Sequence, residues 1–415
     1  MTPPLRYRAP FSLGVLGIYG FALFAPLSIA FSQISIGITL LGWIIQIIRQ
    51  RSIRWQKTPL DLPLLIYCAV QLTAALLSRH MFIGIKVWLN TDWFILFFYA
   101  VIHLIEDQKQ IRQIILLLAV SGTIAGLYGI VQHFQGIDYM RGMKSLIQYG
   151  NFYRAVGFFD LPLTYGGLQL ALLWFLLPFY FVKEKWVNKS FFGAVLAVIF
   201  LSILASYARS AWLGMGGALI LLIFFLEKKY VFTILGAILL GLILIYFLHP
   251  VLLFKKGLLS MFDTSDTASY NNLVRLRLWE SSLNLIKDHW FLGIGYSDFS
   301  EIFDKYKVPF DYGGLSSPHN IFLKITCHSG LLGGLAYCAV WFSFLYAVYR
   351  KYKPGFLKSF TPLKAGSIGS FFAVFALLVG GLTQEYYYDQ ENAELWWFIA
   401  AIGIIGIINR KSEPE

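Results

Sequence analysis

Charge is what this sequence has least of. Only 13% of its 415 residues are Asp, Glu, Lys or Arg, about half the share usual in a soluble domain. A water-facing surface cannot be built from so few charges, which excludes a soluble globular fold. Cysteine is scarce as well. Cys68, Cys327 and Cys338 all lie in or beside apolar stretches and lack CxxC spacing, so a disulfide framework and a zinc site drop out. The acidic residues outside the apolar runs, among them Asp160, Asp263, Asp266, Asp298 and Glu385, show no DxD or similar metal-binding spacing. There is no soluble domain, low-complexity tract or clear internal repeat. No small-residue cleavage site follows Arg6 and Arg8, so the first apolar run reads as a retained helix.

Apolar residues are abundant instead, at 58% of the chain, with 18% aromatic and 36 glycines. A membrane span needs about 20 apolar residues. Candidate runs lie at 12–31, 33–48, 60–78, 91–105, 112–132, 162–182, 190–207, 210–226, 230–248, 320–349, 366–383 and 393–409. The expected fold is therefore all-α: a single polytopic membrane domain over residues 1–415 with about 12 transmembrane helices. One large loop, 249–319, separates the ninth span from the tenth.

The net charge of +12 would suggest nucleic acid in a soluble chain. Here it reads as a topology signal, and no nucleic-acid partner is expected. With the N-terminus inside, 20 of the 34 Lys and Arg fall on cytoplasmic segments, and each short inside loop is basic. The run from Arg49 to Lys57 is the strongest anchor. An even number of spans puts both termini in the cytoplasm.

Three features then fall on the outer side: segment 133–161, the short joint around Arg209, and the loop 249–319. A loop of that length is usually functional. Within it, Asn272–Lys287 reads as an amphipathic helix, with Leu273, Leu276, Trp279, Leu283 and Ile286 at helical spacing. Gly293 and Gly295 end it.

The outer side carries arginines and a histidine. Arg209 sits in a joint of a few residues between two apolar runs, placed to hold an anion at the membrane surface. Arg275 and Arg277 begin the loop helix; two apart, they diverge by about 200°, so only one can face a given ligand. Arg154 is a further outer arginine. His319 follows Pro318 and opens a span, and imidazole suits proton transfer near neutral pH. His328, deeper in that span, reads as structural. Arginine is the preferred residue for bidentate phosphate contact, so such a set can neutralise a diphosphate leaving group without a metal or cofactor.

These residues resemble a known family. His319-Asn320, nine further residues, Gly330, two leucines and Gly333 match the H-N-x9-G-x-x-G pattern of bacterial O-antigen ligases. Arg275-Leu-Arg-Leu-Trp279 leading to Gly293 and Gly295 looks like the loop signature of the wider superfamily of ligases and polymerases. Ser206-Tyr-Ala-Arg209-Ser-Ala-Trp212 looks like its Ser-Arg-small-Trp segment, although Ala208 stands where the family often has Ser. Arg154 to Pro162 resembles its Arg-x-x-Gly-x-x-x-x-Pro segment. The resemblance spans about residues 150–345, and the first 130 residues match only in hydropathy.

It implies an inner-membrane glycosyltransferase of lipopolysaccharide biosynthesis with a periplasmic active site. The transfer would be inverting and metal-independent, from an undecaprenyl-diphosphate-linked glycan to a lipid A–core acceptor within membrane lipid. Arg209 and Arg275, with Arg154, would bind the diphosphate, and His319 would be the general base. Arg277 and Asn320 are further candidates; the four-residue spacing to Trp279 favours Arg275 over Arg277. The nearest alternative is an O-antigen polymerase using the same donor and a glycan acceptor. A polysaccharide transporter is a more distant reading.

Overall fold

With no water in the bilayer core, backbone N–H and C=O groups must pair within a segment. An apolar chain of this kind is therefore driven into helices before any tertiary contact forms. The computed structural model describes residues 12–51, 55–149, 151–226 and 266–408. Among them the fold is all-α apart from two small antiparallel ribbons, Ile137–Asp138 with Lys144–Ser145 and Gln148–Tyr149 with Phe152–Tyr153.

The helices are α1 (Leu13–Phe24), α2 (Ile29–Gln50), α3 (Asp61–Leu76), α4 (Met81–Asp92), α5 (Phe94–Leu104), α6 (Gln108–Gln135), α7 (Pro162–Leu176), α8 (Lys189–Ala205), α9 (Arg209–Phe225), α10 (Asp266–Asp288), α11 (Phe299–Asp304), α12 (Ile321–Tyr352), α13 (Pro362–Gly380) and α14 (Gln390–Ile408). Among the described residues seven apolar segments are long enough to cross a membrane and four more helices are apolar but shorter. Together they coincide with eleven of the twelve runs read from hydropathy. The run 230–248 and residues 249–265 of the long loop lie outside the described residues, as do both chain ends.

Two boundaries differ from expectation. The run 12–31 is not one helix: α1 stops at Phe24, and Ser28 caps α2 by accepting from the Phe31 amide. Pro26, which cannot donate and crowds the preceding turn, stands in the break. The fourth span starts at Met81, not 91, and bends at Trp93. Polar Lys86, Asn90 and Asp92 hid its first half from hydropathy. Asp92 is buried and accepts from the hydroxyls of Tyr67 at 3.1 Å and Tyr387 at 2.7 Å.

The core lies where α13 packs against α7, α9 and α14. Backbones touch there: a Cβ on Gly369 would stand 2.2 Å from the carbonyl oxygen of Phe175. Only a residue without a side chain permits that approach.

The long-loop helix is longer than expected and buries a different face. Val274, Leu278 and Leu285 point inward together with Ile286 of the expected stripe, whereas Leu276 is 56% and Leu283 52% exposed against 0% for Leu278. The helix is apolar on two sides, so periodicity found a stripe but not the buried one.

The basic segments gather at one end of the bundle. Arg112 lies over the Trp186 ring, Phe181 packs on Phe360, and the Gln56 amide donates to His103. The N-termini of α9 and α12 lie at the other end.

Candidate active site

The site is assembled from four chain segments that meet at the N-termini of α9 and α12. The joint between α8 and α9 is a tight turn with Tyr207 in the left-handed region, φ 51°. Ser206 organises it: its Oγ accepts from the Ala208 amide at 3.1 Å and donates to the Ile203 carbonyl at 2.7 Å. The Trp212 indole N–H donates to the same carbonyl at 3.2 Å. The sequence places serine two residues before Ala208, and from there it braces the turn that presents Arg209 at the first position of α9.

Segment 151–161 is strapped onto this joint. The Ala155 amide donates to the Ala205 carbonyl at 3.0 Å. The Arg154 guanidinium donates to the carbonyls of Ser206 at 3.3 Å and Tyr207 at 3.4 Å. The loop helix α10 docks from the other side: Arg209 Nη1 donates to Asn272 Oδ1 at 3.4 Å. Arg275 lies three residues beyond Asn272, on the same face of the helix.

Arg154, Arg209 and Arg275 are thus brought together. Burial pulls the Arg275 guanidinium down from its ordinary value to about 10, and the positive charges of Arg209 and Arg154 push the same way, against an opposing effect of Tyr386. Arg277 turns away. It is exposed and pairs with Glu280 at 2.7 Å. Of the two loop arginines, Arg275 is the one near Arg209 and Arg154.

The fourth segment carries His319. α10 reaches it through Trp279, one turn beyond Arg275, whose indole N–H donates to the Pro318 carbonyl at 3.1 Å. His319 itself has a left-handed backbone, φ 48°. Asn320 caps α12, its Oδ1 accepting from the amides of Phe322 and Leu323 at 3.0 and 3.1 Å; this is a structural contact. Burial lowers the His319 pKa from its ordinary 6.5, with Arg275 and Lys324 acting in the same direction and Glu385 opposing them. The imidazole is therefore neutral at pH 7. Its Nε2 is buried and meets no hydrogen-bond partner among the described residues.

The two glycine motifs explain each other. α12 breaks at Ser329 and Gly330, which has φ 66° and ψ −171°. That region is open essentially to glycine alone. The break frees backbone carbonyls, and the loop supplies donors: Ile294 N to Cys327 O at 3.0 Å and Gly295 N to His328 O at 2.9 Å. A Cβ on Gly330 would lie 2.1 Å from Phe291 O, and one on Gly293 2.5 Å from the carbonyl oxygens of Cys327 and His328. His328 is buried in this seam and hydrogen-bonds Gly295 O through Nδ1 at 2.7 Å, as a structural histidine would. The seam locks the end of α10 to α12 and so sets Arg275 relative to His319.

Sequence reasoning missed the segment between α13 and α14. Glu385 accepts from the His319 amide at 2.8 Å, and Tyr386 OH meets Ser210 Oγ at 2.8 Å. The available signal was a lone Glu followed by three tyrosines between two apolar runs.

Residues 193–338 match the family model described as O-antigen ligase. That stretch includes Arg209, Arg275, His319 and both glycine motifs. The chain is also 23% identical over 328 residues to an O-antigen ligase of Pseudomonas aeruginosa, an alignment covering 79% of this chain and 69% of that protein. An all-α membrane fold, the motif order and these two matches agree: the chain is similar to O-antigen ligases, most directly over residues 193–338.

Proposed function

We propose that this protein transfers a polysaccharide from undecaprenyl diphosphate to a lipid A–core acceptor at the periplasmic face of a bacterial inner membrane. The observation that carries this reading is the gathering of Arg154, Arg209 and Arg275 close enough to act on one another's charge. Three guanidinium groups gathered at the edge of an apolar bundle make a positively charged site that suits an anion. A lipid-borne diphosphate has the required charge and arrives in the plane of the membrane. The basic segments at the opposite end of the bundle support a cytoplasmic position for that end and for both termini.

In the proposed reaction an acceptor hydroxyl attacks the anomeric carbon of the donor's first sugar. The new glycosidic C–O bond forms as the C–O bond to the diphosphate breaks, with inversion. His319 Nε2 takes the hydroxyl proton, a role worth about 10²–10⁴-fold. Arg209 and Arg275 stabilise the charge that develops on the departing diphosphate, so the transfer needs no metal or cofactor. Arg154 holds the turn that presents Arg209 and adds positive charge behind it.

Loss of the gene tests the acceptor. Long polymer should accumulate on the lipid carrier while lipid A–core stays bare. Accumulation of single repeat units would make the protein a polymerase using the same donor. Full polymer attachment in a His319→Ala strain, with substrate crossing the membrane, would favour a transporter.

A further inference from the structure

Glu385 stands at the centre of a network that the reaction as written does not use. Its side chain is 12% exposed and that of Lys324 15%. Glu385 Oε1 accepts from the backbone amide of His319 at 2.8 Å and from the Ser317 hydroxyl. Its other oxygen accepts from Lys324 Nζ at 3.2 Å. Lys324 also donates to Ser317 Oγ at 2.7 Å and lies over the rings of Phe299 and Tyr388. One carboxylate therefore grips both ends of the Ser317-Pro318-His319 turn.

That turn needs a grip. His319 is not glycine, yet it holds φ 48°, a conformation that persists in a side-chain-bearing residue only when its surroundings over-determine it. The contacts that do so are the Glu385 carboxylate on the His319 amide, Trp279 on the Pro318 carbonyl and the Asn320 cap. Trp279 and Asn320 hold the flanks, and Glu385 alone among them bonds His319 itself.

We propose that Glu385, fixed in turn by Lys324 and Ser317, is a positioning residue for glycosyl transfer: it sets the backbone of His319 and thereby the aim of the imidazole. The proposal rests on His319 being the general base. The charged groups facing His319 are Glu385 from the α13–α14 connection, Arg275 from α10 and Lys324 from α12, with the neutral Gln384 beside them. Glu385 favours the imidazolium, and Arg275 and Lys324 disfavour it. Removing the carboxylate and removing the ammonium must therefore move the titration of His319 in opposite directions. A purely structural role predicts no such opposition.

The test is the pH profile of transfer by the purified full-length protein in lipid, with a lipid-linked glycan donor and polymer-free lipopolysaccharide as acceptor. Glu385→Gln should lower the rate by about 10²-fold, as a misaimed catalytic group does, and move the acid limb to lower pH. Lys324→Gln should move that limb to higher pH. If Glu385→Gln does not accumulate in the membrane, Lys324→Gln decides alone. Limbs that stay in place in the variants, or a wild-type rate in Glu385→Gln, overturn the proposal. The assignment of His319 is read separately: an acid limb that survives in the residual activity of His319→Ala sinks the base role itself.

Discussion

The two ends of the bundle are both rich in positive charge and use it in opposite ways. At one end Arg49, Arg112, Lys185 and Arg350 are spread over separate segments. Each acts alone, and under the proposed topology it holds its loop on the cytoplasmic side. At the other end Arg154, Arg209 and Arg275 come from three distant segments and lie near enough to lower the pKa of Arg275. Spread charges fix topology cheaply, because each stays solvated. Gathered charges cost more, because each raises the energy of the next, and together they draw an anion more strongly than any one of them alone. The number of arginines is not what distinguishes the ends; their mutual distance is.

The sharpest way to break this comparison is to remove single charges from each end. Arg209→Ala, Arg275→Ala and His319→Ala should each lower transfer by about 10²–10³-fold in well-expressed protein. Polymer ladders of normal intensity from any of them would erase the distinction. Next in size is a change to the seam that holds the gathered end together. Gly330→Ala places a side chain in a glycine-only region and against Phe291 O, which should cost at least about 1–3 kcal/mol of stability. Thermal unfolding in detergent reads this out, and an unchanged midpoint would mean that α12 breaks elsewhere.

A gentler probe is pH. Because burial lowers the His319 pKa below its ordinary 6.5, the base is neutral at pH 7, and transfer should fall only as pH drops through that depressed value. A rate that already falls between pH 8 and pH 7 would contradict a buried imidazole. A smaller effect still is expected from excess EDTA, which should leave the rate within about twofold, since guanidinium charge takes the place of a metal; loss that Mg²⁺ restores would refute this. The smallest effect belongs to Arg277→Ala. Its pair with Glu280 is exposed, worth at most about 1 kcal/mol, so transfer should match that of a solvated loop variant such as Lys185→Ala.

Much of this was legible without coordinates. Among the described residues helices form at eleven of the runs that hydropathy marked, two of them with different bounds, because lipid leaves the backbone no other choice. Arg209, Arg275 and His319 stood out as candidates because arginine and histidine are conspicuous in so apolar a chain. The polar first half of α4 was not legible, since Asp92 is tolerated there only through Tyr67 and Tyr387, both remote in sequence. Nor was the buried face of α10, whose two apolar sides look alike until a partner covers one. Glu385 was visible but silent. Lying 66 residues from His319, it belongs to no local pattern.

What the amino-acid order settles by itself is local and one-dimensional. It settles which segments enter lipid, where charge is scarce enough to matter, and where glycine alone permits the backbone its turn. Whether three arginines lie near one another, which of Arg275 and Arg277 faces the others, and what bonds the His319 backbone were decided by tertiary packing. The physical reason is range. Hydropathy and backbone strain act within a few residues, whereas electrostatic and hydrogen-bond contacts between α9, α10, α12 and the α13–α14 connection exist only once the helices have docked.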